Sequence, residues 1–261
     1  MLIRLIAVGV LGVGMAGCGS TPTMPSTVGG SGSVAVPAVP LLKGTRLMAF
    51  GDSFTAGEVL DALSVRVVSD AKSYPTQLRT LLQARYVAQT VFVQNDGVPG
   101  EGLIGSGGAR SADTRSRYVA ALAQDHPDAV LLLEGVNDLP SDEISTDQIA
   151  GVLSQMVQEA YAANVKTVYL ATEPPQIAGL LRAAGAARVP ELNDRIRTVA
   201  VQQHATLVDL YSAMIGDVNN LINSDDGLHL YPAGYVVIAQ TFFAAIKSNF
   251  EQAASLALTH R

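Results

Sequence analysis

The amino-acid sequence predicts a three-layer α/β/α fold with a five-stranded parallel sheet. Three observations predict it. Five short runs of aliphatic and branched residues alternate with longer stretches of helical character. Prolines stand at 75, 190 and 232, at the openings of three of those stretches. Hydrophobic residues make up 48% of the 261 residues and charged ones 15%, enough apolar material for one substantial core. Strands separated by helices imply parallel pairing, a sheet covered on both faces, and right-handed crossovers.

Taken in order, the expected strands are Arg46–Phe50, Thr90–Gln94, Ala129–Leu133, Lys166–Ala171 and Thr206–Leu210. Each is short and rich in residues that fit a buried pleated surface. The expected helices are Pro75–Arg85, Asp113–Gln124, Thr146–Ala163, Pro190–His204 and Pro232–Asn249. Proline suits a first helical turn, where its missing N–H costs no hydrogen bond. The folded body is therefore expected over residues 43–252, followed by a tail over 253–261. Ligands of such sheets sit beyond the carboxyl ends of the strands, so the loops after the strands are where a site belongs.

The chain ahead of the body has a different character. Arg4 precedes a run from Leu5 to Met15 of apolar residues and glycine, then Ala16, Gly17 and Cys18. A positive start, a short apolar stretch and small closing residues describe an export signal over 1–17. The run is short for a hydrocarbon core of ~30 Å. Met15-Ala16-Gly17-Cys18 resembles the lipobox of bacterial lipoproteins, with Met15 where that box commonly has leucine. The resemblance implies lipidation of Cys18, the only cysteine of the chain, and an anchored place in the bacterial envelope. Gly19 follows it in place of the aspartate that retains such proteins at the inner membrane, so the outer membrane is expected in a two-membrane cell. The alternative is ordinary secretion. Residues 18–42 are dominated by Gly, Ser, Thr, Pro, Val and Ala, and read as a linker.

Charge and composition exclude several functions. The formal net charge is −6, and it becomes more negative by one without residues 1–17, whose only charged residue is Arg4. An acidic chain lacking a basic cluster is a poor partner for nucleic acid. Gly100, Gly102 and Gly105 spell G-x-G-x-x-G, but these glycines neither follow a strand directly nor open a helix, as dinucleotide binding requires. One well-placed histidine is too few for a zinc site. No metal and no cofactor are expected.

The rim at the strand ends carries the chemistry. After the first expected strand comes Gly51-Asp52-Ser53, and after the second Asn95-Asp96-Gly97-Val98-Pro99-Gly100. Gly135-Val136-Asn137-Asp138 follows the third, and Asp226-Gly227-Leu228-His229 comes beyond the fifth. Of the four histidines, His126 and His204 precede strands and belong at the opposite rim, while His260 lies in the tail. Only His229 shares the rim of Ser53. Asp226, three residues before it, is spaced to share one face of a helical turn and hold one ring nitrogen. A serine, a base, an orienting carboxylate and potential anion-stabilising N–H groups are the inventory of covalent acyl transfer.

These four blocks, in this order over roughly residues 45–250, resemble those of GDSL/SGNH hydrolases. The resemblance implies a flavodoxin-like arrangement of the sheet and cleavage of carboxylic esters through an acyl-enzyme. It implies Ser53 as nucleophile, His229 as base and Asp226 as its orienting partner. It implies an oxyanion hole from the N–H of Ser53, the N–H of Gly100 and the side-chain amide of Asn137, with Gly97 as the alternative to Gly100. The implied partners are small-molecule, glycan or lipid ester substrates, and the membrane through the lipid anchor. A non-catalytic surface module on the same fold is the competing reading. It is disfavoured by the absence of tryptophan and by an aromatic content of 5%, few stacking platforms for a binder. The stretch Glu58–Lys72 is expected either to cover the pocket or merely to complete the fold.

Overall fold

The computed structural model describes residues 39–252 apart from 62, 64 and 105–113. The signal and linker expectations up to residue 38, with Cys18, lie outside the described residues, as do Gly105 and His260. The elements run β1 (Leu41–Leu42), β2 (Arg46–Gly51), α1 (Ser53–Ala56), β3 (Glu58–Leu60), β4 (Arg66–Val68), α2 (Tyr74–Arg85) and β5 (Phe92–Gly97). They continue with α3 (Thr114–Asp125), β6 (Ala129–Leu133), α4 (Thr146–Ala162), β7 (Thr167–Ala171), α5 (Val189–Gln202) and β8 (Thr206–Val208). Last come α6 (Leu210–Met214), α7 (Val218–Leu221), α8 (Pro232–Asn249) and β9 (Glu251–Gln252).

Five strands form one parallel sheet in the order β5-β2-β6-β7-β8. The central strand β6, Ala-Val-Leu-Leu-Leu, is buried along its whole length, as a strand covered on both faces must be. On one face α2 and α8 pack together, with Tyr74 stacked on Phe242 at 5.2 Å. On the other, α3 packs on α4 and α4 on α5. Local chemistry starts these helices where the sequence places them. Ser73 accepts the Thr76 N–H ahead of Pro75, and Ser145 with Gln148 forms a reciprocal capping box on α4.

The structure moves element ends in three places and adds a hairpin in a fourth. Strand β5 runs on to Gly97, in register with Gly51 of β2, so Asn95, Asp96 and Gly97 belong to the sheet and not to the loop. Strand β8 stops at Val208, because the Asp209 side chain turns to accept the Ser212 N–H and opens α6. Leu41 and Leu42, read as the end of the linker, pair with β9 and belong to the body. Arg85 clamps that pairing through both of its contacts to Glu251. Finally, Glu58–Lys72 contains a small antiparallel hairpin of β3 and β4.

His126 and His204 are exposed at the turns entering β6 and β8, with φ of 44° and 55°. Both stand at the rim where strands begin. The rim where strands end carries the residues considered next.

Candidate active site

Strand β2 delivers Ser53 to the rim. Gly51 ends the strand, and Asp52 then caps α1 by accepting the Phe54 N–H at 2.8 Å. Ser53 is the first residue of α1, so its own N–H has no acceptor within the helix and faces outward from the turn. The seat of α1 depends on Gly97: a Cβ there would lie 2.0 Å from the Ala56 backbone nitrogen. Ser53 is 2% exposed.

The neighbouring loops bring the other groups of the rim. The Gly97 N–H is occupied by the Asn95 side chain at 3.1 Å, and Gly97 is paired within the sheet. Gly100 lies beyond the strand in a turn closed by the Glu101 N–H on Val98, with φ +75° and open space where a Cβ would point. Of the two glycines, Gly100 is the one placed to offer an N–H. Asn137 donates to the Glu101 carbonyl at 2.7 Å and lies 3.4 Å from Asp52 Oδ2. Its amide thus sits between the neighbour of Gly100 and the neighbour of Ser53. Asp138 fixes the same arrangement by accepting the N–H groups of Leu103 and Ile104 at 2.7 and 2.9 Å.

His229 is held by a short turn rather than by a helix. Asp226 Oδ1 accepts the N–H groups of Leu228 and His229 at 2.9 and 3.0 Å, closing the turn through its own side chain. The other oxygen, Oδ2, meets His229 Nδ1 at 2.6 Å. The expectation of a shared helical face is therefore corrected: a side-chain-closed turn produces the contact. Burial works against the Asp226 carboxylate, but the hydrogen bonds from His229 and Leu228 outweigh it and hold its carboxyl below the usual range. With Nδ1–H donating to Asp226, Nε2 is the acceptor nitrogen. The two ring nitrogens meet Asp226 and, at 3.5 Å from Nε2, Glu58 Oε1. No hydrogen bond joins Ser53 to His229 among the described residues. Such bonds commonly tighten only once substrate is in place.

The sequence profile of the GDSL-like Lipase/Acylhydrolase family matches residues 49–237. The chain belongs to that family. It is a carboxylic ester hydrolase. Among curated protein sequences none matches it. Among solved structures, a lipase/acylhydrolase from Enterococcus faecalis is similar with TM-score 0.63 and 26% identity, over 80% of this chain and 100% of its own. A carbohydrate acetylesterase from Sinorhizobium meliloti gives TM-score 0.67 at 15% identity, over 79% and 100%. An acetylxylan esterase from Geobacillus stearothermophilus gives 0.60 at 23%, over 78% and 94%.

In this GDSL-like hydrolase the site is backed by a set of buried acids. Asp52, Glu58, Glu101, Glu134, Asp138 and Glu173 are all buried. Burial, together with repulsion from Glu101, Glu58 and Asp138, overrides the Phe54 hydrogen bond and pushes Asp52 up to about 7. Burial pushes Glu134 and Glu173 well above the usual carboxylate range, and the charge of Asp52 adds to it. Both Glu173 oxygens lack a hydrogen-bond partner among the described residues. Burial without a hydrogen-bond partner works against the charged form of Glu173 there. A sequence signal existed: Glu134 and Glu173 stand directly or almost directly after apolar strands, on the rim where a site belongs. Beside Asn137 opens a cavity of about 390 Å³, lined among others by Val136, Pro140, Gln176, Arg182 and Leu228. Among the described residues, no group of three or more His, Cys, Asp or Glu side chains is arranged to hold a metal ion.

Proposed function

We propose that this hydrolase cleaves esters with Ser53 as nucleophile, His229 as general base and Asp226 as the group that orients the imidazole. The observation that carries the reading is the 2.6 Å contact of Asp226 with His229 Nδ1, made on the rim where α1 presents Ser53. In the reaction, Ser53 Oγ bonds to the ester carbonyl carbon as its proton passes to His229 Nε2. The N–H of Ser53, the N–H of Gly100 and the Asn137 amide receive the charge that develops on the carbonyl oxygen. Collapse breaks the bond to the alcohol oxygen, which takes the proton from Nε2. Water, deprotonated by the same nitrogen, then releases the acid and restores Ser53. A fluorophosphonate probe tests the reading: it labels the wild-type protein at Ser53, located by peptide mass spectrometry. Absence of labelling in a protein that hydrolyses esters would exclude the serine mechanism.

The substrate we favour is a short acyl ester of a polar alcohol, of which an acetylated sugar is one. Two fold neighbours are esterases of carbohydrate acetates by their descriptions. The cavity beside Asn137 offers Gln176 and Arg182 to a polar alcohol, and its volume of about 390 Å³ suits a small one. A screen across acyl-chain lengths and acetylated polysaccharides decides. A rate that climbs steadily with chain length argues against this choice.

We also propose that the protein is tethered to the bacterial envelope through lipid on Cys18. The support is the Met15-Ala16-Gly17-Cys18 box and the linker that follows it. Two or more acyl chains on one residue suffice for stable anchoring. Cys18→Ser is expected to move the protein from the membrane fraction to the soluble or precursor pool. Unchanged detergent-dependent membrane association counts against the tether.

A further inference from the structure

We infer that Glu58 is a positioning residue for His229, a second carboxylate whose charge stabilises the imidazolium formed when His229 takes the Ser53 proton. This rests on the Ser53–His229 reading above. Glu58 Oε1 lies 3.5 Å from Nε2, on the side of the ring away from Asp226, and both side chains are nearly fully buried at 4% and 2% exposure. The imidazole is therefore bracketed, with Asp226 on Nδ1 and Glu58 beside Nε2.

The fold places Glu58 there by short links. Gly57 closes α1 by donating to the Ser53 carbonyl, and Glu58 is the next residue, the first of β3. Its backbone carbonyl accepts the Tyr235 hydroxyl from α8. Its carboxylate meets Arg66 at 2.8 Å, a diagonal pair across the hairpin, since Glu58 faces Val68 while Arg66 faces Leu60. His229 thus meets Asp226 on its own turn and Glu58 from the hairpin, while Arg66 and Tyr235 of α8 hold Glu58. The charge of Glu58 also repels Asp52. Glu58 Oε1 has no hydrogen bond of good geometry in this structure. The same oxygen carries the 2.8 Å contact from Arg66, so its negative charge is shared between Arg66 and whatever proton Nε2 carries.

The proton accounting is simple. The Ser53 O–H bond breaks, the proton goes to Nε2, and it leaves on the alcohol oxygen. Glu58 takes no proton in these steps. Its charge lowers the energy of the state in which Nε2 is protonated, in a buried setting where screening by water is weak. Removing that charge penalises the imidazolium, so His229 stays neutral to lower pH.

Wild type, Glu58→Gln and Glu58→Asp are compared on a short p-nitrophenyl ester over a range of pH, with melting temperature as the check on folding. Glu58→Gln is expected to lower kcat about tenfold with KM little changed, and to move the acid limb of kcat/KM down by about one pH unit. Glu58→Asp, one methylene shorter, moves the limb in the same direction but less. It carries the test if Glu58→Gln does not fold. A limb that stays in place in the folded variant overturns the inference whatever happens to kcat, because a merely structural glutamate lowers activity without moving it. If the fluorophosphonate fails to label wild type at Ser53, the serine mechanism itself has failed. Normal labelling with an unmoved limb sinks Glu58 alone.

Discussion

Asp226 has two tasks, and different oxygens serve them. Oδ1 closes its own turn on the N–H groups of Leu228 and His229, while Oδ2 holds Nδ1. Asp226→Asn keeps an oxygen for the turn but loses the charge. It is therefore expected to keep a melting temperature near wild type and to lose most of kcat, about 10³–10⁴-fold where the imidazole tautomer is set wrongly. Asp226→Ala loses both tasks and melts lower as well. Asn137→Ala, which deletes one oxyanion donor and leaves the backbone N–H groups, is expected to cost about 10²–10³ in kcat. If Asp226→Asn melts as low as Asp226→Ala, the division of tasks between the two oxygens is wrong. At this scale the motif blocks were legible as loops: Ser53 follows β2 and Asn137 follows β6 directly, while Asp226 and His229 come beyond β8, α6 and α7. The buried acids were not. An isolated glutamate in sequence reads as a solvated side chain, and only the sheet shows that Glu58, Glu134 and Glu173 point inward.

The elements show where short-range reading stops. Long helices and central strands carry enough period to be placed within a residue or two, and α2, α4 and α8 fall close to expectation. The hairpin of β3 and β4 has three residues in each strand, and β1 and β9 have two, too few for a period to register. Those elements exist through tertiary pairing. The same holds for β5, whose last three residues look like a loop and are kept in the sheet by β2. Gly97 is what permits this, and it separates two substitutions of similar appearance. Gly97→Ala drives a Cβ to within 2.0 Å of the Ala56 backbone, so α1 must shift and Ser53 with it. A large loss of both melting temperature and kcat is expected. Gly100→Ala meets nothing within 4 Å but is strained by its φ of +75°, at a cost of about 1–2 kcal/mol. For a body of this size that is a drop of roughly 2–8 °C with the fold retained. A Gly97→Ala protein that melts and turns over like wild type would refute the close approach of α1.

For the molecule as a whole, net charge is a poor guide to where the acids are. The chain is acidic by −6, yet several carboxyls lie buried beneath the rim, where burial opposes their ionisation. This fixes the sign of its response to pH. Asp52 is raised to about 7, and Glu134 and Glu173 are raised well above the usual range, chiefly by burial. In the unfolded chain the same groups ionise near pH ~4. Between those limits the folded state holds more protons than the unfolded one, so stability declines as pH rises. Asp128, Asp209 and Asp226 have lowered values, and their contribution is fully present above pH ~4 and lost only below it. They are constant across neutral pH and do not offset the decline. The melting temperature is therefore expected to fall from pH ~5 to pH ~7, the window that the Asp52 value bounds. Glu173→Gln replaces an acid whose ionisation burial opposes by a neutral amide, so it should melt close to wild type near pH ~5 and above it as pH rises, flattening the slope. Glu143→Gln, an exposed control, should leave the slope unchanged. Calorimetry across that window decides. A wild-type melting temperature that is flat or rises with pH would mean that the buried carboxyls are ionised in the folded protein, and that their charges are met by groups other than those around Glu173.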